Sequence, residues 1–357
     1  MIWLAWRQFR TQAYVVAGVL ALIAVAYALT GPSLVHVYDT SVLTCKAHGD
    51  CSSVLANFAA RDHLLRDLAL AVILVPALLG LFWGAPLIAR EMENGTFRMA
   101  WTQSVTRSRW ITTKLCLVGL ACVAVAGLFS LMITWWSSPF DTINNNLYSY
   151  FDLRDIVPVG YAAFSFSLGV TMGVLIRRTL PAMVATLVAF TAVRAAFTMW
   201  VRPHLLSPLH FKGPFNLNQG GGIEVPGRGQ SRDWVISSLT LNKNGVVIGT
   251  NGGIGPNDEI NFHPGAHGGT VLQGVGTCPT AIPPPTSTGR GVSNGQPSPA
   301  VQHAVQKCIN SFHMKEVLTY LPASRYWTLQ WYELALFIVM ALLLSAFAWW
   351  WVRRRLA

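Results

Sequence analysis

The stretch Leu115-Cys-Leu-Val-Gly-Leu-Ala-Cys-Val-Ala-Val-Ala-Gly-Leu-Phe-Ser-Leu-Met-Ile-Thr-Trp-Trp136 carries no charge over 22 residues. A helix of that length crosses about 30 Å of hydrocarbon. Five further runs share its apolar character: Ala13 to Leu29, Leu68 to Ile88, Val157 to Ile176, Leu180 to Trp200 and Leu334 to Val352. The whole composition agrees, because 52% of the 357 residues are hydrophobic and only 11% charged, against about a quarter charged in soluble domains. We therefore expect an all-α polytopic membrane protein of six transmembrane helices. The first run exceeds a signal-peptide core and no A-x-A site clearly ends it, so the N-terminus is expected to be retained.

Topology follows from the basic residues. Arg7 and Arg10 precede the first run, and Arg90, Arg98, Arg107, Arg109 and Lys114 lie between the second and third. Arg177 and Arg178 separate the fourth and fifth, and Arg353, Arg354 and Arg355 follow the sixth. If six helices alternate, all of these fall on one side, which places both termini in the cytoplasm. The net charge of +11 is met by topology and anionic lipid headgroups. No zinc-finger or RNP spacing supports nucleic acid as a partner.

Three segments then face outward: Gly31 to Asp67, Ser137 to Ile156 and residues 201–331, the last long enough to be a domain between helices five and six. Within it, Trp234 to Leu241 and Gly245 to Ile248 flank Asn242-Lys-Asn, which predicts a β-hairpin with Gly245 near the turn. The Gly- and Pro-rich stretch from Gly249 to Pro299 predicts irregular chain, and the pattern from Val301 to Leu321 predicts a helix leading back to the membrane. Cys45, Cys51, Cys278 and Cys308 fall in outward segments, where disulfides persist. Four cysteines allow three pairings. Cys45 with Cys51 and Cys278 with Cys308 is favoured because each pair lies within one segment, reduced thiols being the alternative. Cys116 and Cys122 fall inside the third run.

Candidate chemistry is sparse. The phosphate-loop pattern G-x-x-x-x-G-K-[ST], HExxH and GxSxG are all absent from the sequence, and no resident cofactor is expected. His263 and His267 are four apart, but Pro264 and Gly265 deny them a helix, so a polar loop is favoured over a metal site. The runs themselves show no clear carboxylate, which argues against a proton relay. Arg194 is the one charge well inside a run; it either snorkels outward or faces a central pathway to meet an anionic group. Gly169 and Gly173 form a small-xxx-small pair for close helix approach, within one subunit or at a dimer seam.

The segment between the second and third runs is the most distinctive. It reads Glu91-Met-Glu93-Asn-Gly95-Thr96-Phe-Arg98-Met-Ala-Trp101-Thr-Gln-Ser104-Val105-Thr-Arg107-Ser-Arg109-Trp110. The acids suit a helix end at the headgroups, Gly95 a sharp reversal, and Thr96 the cap of a short helix along the membrane face. A plain interfacial anchor has the same composition.

This pattern, with its Gly84-Ala-Pro-Leu-Ile-Ala-Arg90 lead-in, resembles the first cytoplasmic loop of ABC-2 type transporter permeases. Over almost its full length the chain is similar to actinobacterial ABC transporter permease subunits, including the Met1-Ile-Trp-Leu-Ala-Trp-Arg-Gln8 start and Tyr320-Leu-Pro-Ala-Ser-Arg325. Val105 stands where the wider group often has proline. The resemblance implies a plasma-membrane exporter subunit of a bacterium that pairs with a second permease copy and with separate ATP-binding subunits, which would hold MgATP. It further implies an amphipathic elbow helix over residues 1–12, residues 13–200 as helices one to five, and a coupling loop over 90–114. Glu91, Glu93, Gly95, Thr96, Arg98, Trp101, Arg107 and Arg109 would then contact the ATP-binding subunit. Residues 332–357 would form helix six and a basic tail. The reading from another class is a membrane-anchored sensor or resistance protein whose outward domain binds a ligand.

Overall fold

The computed structural model describes residues 72–95, 106–143, 147–148, 150–214, 233–250 and 310–355. It also describes scattered positions between 14 and 32, residues 262–264, 270–272 and 276–277, and Lys307. Among the described residues, four stretches are long and apolar enough to span a membrane: Ser108–Ser137, Val157–Ile176, Thr179–Leu205 and Ala323–Arg355. They correspond to the third, fourth, fifth and sixth runs. The first run lies largely outside the described residues, although Tyr14, Leu22 and Leu29 are helical.

The second run is helical from Val72 onward but changes pitch. A 3-10 turn, Val72–Leu74, leads into α1 (Val75–Leu79), then a π-helical stretch Gly80–Gly84, then α2 (Ala85–Glu93). Helix α3 (Arg107–Ile143) runs beyond the expected end at Trp136. Helix α4 is Val157–Ile176 and α5 is Thr179–Ala196. A second π-helical stretch, Phe197–Val201, and α6 (Arg202–Leu205) continue α5. Helix α7 is Tyr326–Arg355.

Helix α4 is the centre of this bundle, with 72% of its apolar window buried against 22–33% for the other three. It is apolar all round, as a fully packed helix must be. Its glycines let α2 and the preceding π-helical stretch come into backbone contact. A Cβ on Gly169 would lie 2.8 Å from the Ala85 nitrogen, and one on Gly173 would lie 2.6 Å from the Ala85 carbonyl oxygen. Gly84 answers from the other helix, since a Cβ there would meet the Phe166 oxygen at 2.6 Å. Two G-x-x-x-G segments, Gly80 to Gly84 and Gly169 to Gly173, thus face each other within one chain. Helix α3 adds an apolar stripe at four-residue spacing through Val118, Cys122 and Ala126.

Helices α4 and α5 are joined by Arg177 and Arg178 alone. Arg177 takes a left-handed backbone, φ 58°, and donates its N–H to the Gly173 oxygen at 3.1 Å. That closes α4 as an αL cap.

By contact, the chain divides into two compact units: residues 1–143, 149–205 and 327–357, and residues 144–148 with 206–326. The second unit holds an antiparallel sheet in the order β1-β7-β2-β3. Its strands are β1 (Leu209–Pro214), β2 (Trp234–Leu241), β3 (Val247–Thr250) and β7 (Lys315–Leu321). The expected hairpin is present as β2 and β3, with Gly245 at φ 80° in its turn.

Two expectations are corrected here. The helix expected up to Leu321 gives way to β7, where Glu316, Leu318 and Tyr320 are buried on one face at period two. Its β-branched and aromatic residues pair with strands on both sides. The Gly- and Pro-rich stretch contains three short strands, β4 (Phe262–Pro264), β5 (Thr270–Leu272) and β6 (Gly276–Thr277). Pro264 sits at the end of β4, which among the described residues has a single partner strand and so tolerates the missing N–H.

Candidate functional site

Two arrangements of polar side chains stand out in the helical unit. The first lies where the loop between α2 and α3 begins and ends. Helix α2 stops at Glu93, Asn94 follows it, and Gly95 reverses the chain at φ 70°, as the sequence predicts. Glu91 accepts a hydrogen bond from Lys114 on α3 at 2.5 Å, both side chains being largely buried. The Lys114 ammonium also lies 4.7 Å above the Trp110 ring. This ion pair closes the neck of the loop.

Glu93 reaches a third helix. Its Oε2 accepts from the Thr179 backbone N–H at 3.0 Å and from the Thr179 hydroxyl at 2.6 Å. Helix α5 has no side-chain cap of its own, since Arg178 occupies the N-cap position. Glu93 therefore caps α5 from a distance, filling an otherwise orphaned donor with a carboxylate at the positive helix end. The Thr179 side-chain and backbone hydrogen bonds hold the Glu93 carboxyl below its ordinary value. A depressed carboxylate stabilises the fold above the ordinary Glu range, about 4.3, and that support is lost as pH falls through the folded value. Acidification in that range should open the start of α5, and Glu93→Gln should do so at neutral pH. Faster amide exchange at Thr179 and Leu180, with exchange in mid-α5 unchanged, is the expected signature.

Of the residues expected to face an ATP-binding subunit, Glu91, Glu93 and Gly95 are thus placed at the loop's base. Thr96, Arg98 and Trp101 lie outside the described residues. Arg107 opens α3 and Arg109 is exposed in its first turn. Cys45, Cys51, Cys278, Cys308, His267 and the side chain of His263 also lie outside the described residues. Cys116 and Cys122 are free thiols.

The second arrangement is a buried ionic cluster. Arg202 of α6 donates from Nε to Glu333 Oε2 at 3.0 Å, from Nη2 to Glu333 Oε1 at 2.8 Å and from Nη1 to Asp152 Oδ2 at 3.3 Å. The Tyr161 hydroxyl donates to Asp152 at 3.0 Å and also bonds Glu333. Arg194 stacks on the Tyr161 ring, 3.6 Å from its centroid, and completes the charge balance. Its Nη2 lies 3.3 Å from Asp152 and its Nη1 3.6 Å from Glu333. Two guanidinium groups thus meet two carboxylates, joining α4, the α5–α6 segment, α7 and the connection before α4. Burial alone would raise the Asp152 pKa, but the charges of Arg202 and Arg194 and the bonds from Arg202 and Tyr161 bring it below the ordinary value.

This cluster corrects the expectation of spans free of carboxylates. Helix α7 begins at Tyr326 rather than Leu334, so Glu333 sits inside it and is fully buried. Arg194 points into the bundle, with its side chain only 12% exposed. Neighbouring side chains finish the connection between α3 and α4. Gln330 accepts from the Val157 N–H at 3.1 Å, capping α4 from another helix, and donates to the Phe151 oxygen at 3.3 Å. The Ser130 hydroxyl donates to the Asp155 oxygen at 2.6 Å, and Thr134 accepts the Asp155 N–H at 3.0 Å.

A family model described as ABC-2 membrane transporter related matches residues 17–202, just over half of the chain. Comparison with curated proteins and with solved structures gave no match.

Proposed function

The chain belongs to the ABC-2 membrane transporter related family, and on that premise we propose that it is the permease subunit of an ATP-driven exporter. In this reading two permease copies line the pathway, and separate subunits supply ATP hydrolysis. The observation that carries it is the pair of contacts at the base of the loop. Glu91 with Lys114 and Glu93 with Thr179 fasten the loop to α3 and α5, so a push on the loop is delivered to three helices together. Nucleotide-driven closure of the partner would then favour one permease state over another by its differential contacts. Both termini and the loop lie in the cytoplasm of a bacterium, residues 201–331 form the outward domain with a Cys278–Cys308 bridge, and a Cys45–Cys51 bridge closes the separate outward segment Gly31 to Asp67. The basic belt rests on anionic lipid.

The test is co-purification with a stand-alone ATPase encoded beside the permease. Arg98→Glu with Trp101→Ala changes the middle of the loop and spares the Glu91–Lys114 neck. We expect complex formation or ATP hydrolysis to fall at least about tenfold while folded permease yield holds, the loss of one charged and one aromatic anchor being worth well over 1.4 kcal/mol. A complex that forms and hydrolyses ATP unchanged would remove the loop from the coupling site. A folded permease that binds no ATPase would overturn the exporter reading.

A further inference from the structure

The junction of α5 and α6 is out of phase with a regular helix. Seven residues of α-helix return to within about 20° of the same face, and the seventh residue after Arg194 is Val201. The eighth, Arg202, would point about 80° away. The structure reverses this order: Val201 is 40% exposed, and Arg202 is buried beside Arg194 on the same two carboxylates. The cause is the π-helical stretch Phe197–Val201, whose wider turn takes up one extra residue. The Arg202 N–H bonds to the Phe197 oxygen, where an α-helix would use that of Thr198. Pro203 follows and has no N–H to give at either pitch, so this turn is tied less than any regular one. Beyond α6, Leu206 to Pro208 belong to neither helix nor strand.

We propose that this turn is a register switch worked by the charge of the cluster. With Asp152 and Glu333 both ionised, two guanidinium groups balance them, and the bonds of Arg202 to both carboxylates hold the rarer, wider turn in place. Withdrawal of one negative charge leaves two buried guanidinium groups on one carboxylate, so one of them is unpaired and strongly unfavourable. The turn supplies the way out. Tightening to α pitch rotates Arg202 by about 100°, out of the cluster, and brings Val201 in; the displaced residue passes into the irregular chain at Leu206 to Pro208. Arg194 is the guanidinium that stays. It sits in regular α5, over the Tyr161 ring at 3.6 Å, with its Nη2 3.3 Å from Asp152. Its Nη1 is buried without a hydrogen-bond partner among the described residues, a donor left idle while Arg202 occupies the carboxylates. A proline explains a break in the helix here, but not an arginine in the place that α phase gives to Val201. The change of register belongs to the helix itself and does not rest on the exporter reading.

The test reads the two arginines directly, by phenylglyoxal modification of the full chain in detergent followed by peptide mass. The exposed Arg353, Arg354 and Arg355 serve as the reference for the reagent. In wild-type chain Arg194 and Arg202 should both be protected, their side chains being 12% and 7% exposed. In Glu333→Gln, Arg202 should react at least about tenfold faster, as for a conformer that rises from minor to major population, while Arg194 stays protected. Both arginines becoming reactive together would mean that the cluster merely opens; neither becoming reactive would mean that the turn is fixed. Either result overturns the proposal. Should Glu333→Gln fail to fold, Val201→Arg with Arg202→Val reads the same switch with both carboxylates in place, because only α pitch brings position 201 into phase with Arg194. This double variant should keep most of the wild-type Tm, and it should lose it when the exposed Met199 is also deleted. The wild-type sequence should tolerate that deletion, which puts Arg202 in α phase. A double variant as unstable as Arg202→Val alone would overturn the proposal, and so would one that tolerates the loss of Met199, since its arginine would then reach the cluster with no change of register.

Discussion

Arg202→Met should cost about 3–5 kcal/mol, the loss expected when one partner of a buried ion pair is removed, and should show as a collapse of folded yield or Tm in detergent. The size follows from what remains. Asp152 and Glu333 would keep only Arg194, which stands near both carboxylates but whose Nη1 makes no hydrogen bond among the described residues. Glu333 is fully buried, so its charge has no access to water for compensation. Arg194→Met should therefore cost clearly less than Arg202→Met, since it removes charge but not the bonds to Glu333 and Asp152. Adding Glu333→Gln to Arg202→Met should recover part of the loss, because it withdraws the unpaired charge. The Tm values of the three variants form the test; an Arg202→Met protein as stable as wild type would mean the cluster contributes nothing to the fold. The pH sense is also fixed. Asp152 is held below its ordinary value, so its contribution is complete above the usual Asp range, about 3.9, and is lost as pH falls through the folded value.

The long uncharged runs are legible from sequence because hydrocarbon thickness imposes a minimum length that little else produces. Gly245 and the hairpin around it are legible because a two-strand alternation with a turn residue between is local. The helix end at Glu93 and the reversal at Gly95 are legible for the same reason. What escapes is non-local. Glu333 reads as a residue outside the membrane because the apolar run begins at Leu334, and nothing in the sequence shows that Asp152, 181 residues earlier, comes to the same arginine. Arg202 falls just past the end of its run and carries no local signal, although it is the centre of the cluster. Gln330 and Glu93 cap helices to which they do not belong, and a search for Ser, Thr, Asp or Asn at the N-cap itself misses both. The strand at Lys315–Leu321 reads as helix because a short apolar run bears no period of its own until its neighbours are known.

Gly169→Leu carries the other large expectation: loss of the folded permease rather than loss of a dimer. The first side-chain carbon would lie 2.8 Å from the Ala85 nitrogen and 3.0 Å from the Gly84 carbonyl carbon, and closer still to the Gly80 oxygen. All three are backbone atoms of helical turns, so no rotamer change can make room. The two helices would have to separate, and α4, the central helix, would lose the close contact on which the bundle is built. Overpacking with side chains that can yield costs about 1–3 kcal/mol; contact against backbone should exceed that range. Gly173→Leu should behave alike, because its Cβ would stand 2.6 Å from the Ala85 oxygen. Gly127→Leu is the matched control, since its nearest neighbour is the Val159 side chain at 3.8 Å. Native mass and detergent Tm together decide: a folded monomer from Gly169→Leu, stable but unable to pair, would move this glycine to a seam between two chains. Aggregated or absent protein from Gly169→Leu beside normal protein from Gly127→Leu would keep it where α4 meets the Gly80–Gly84 turn.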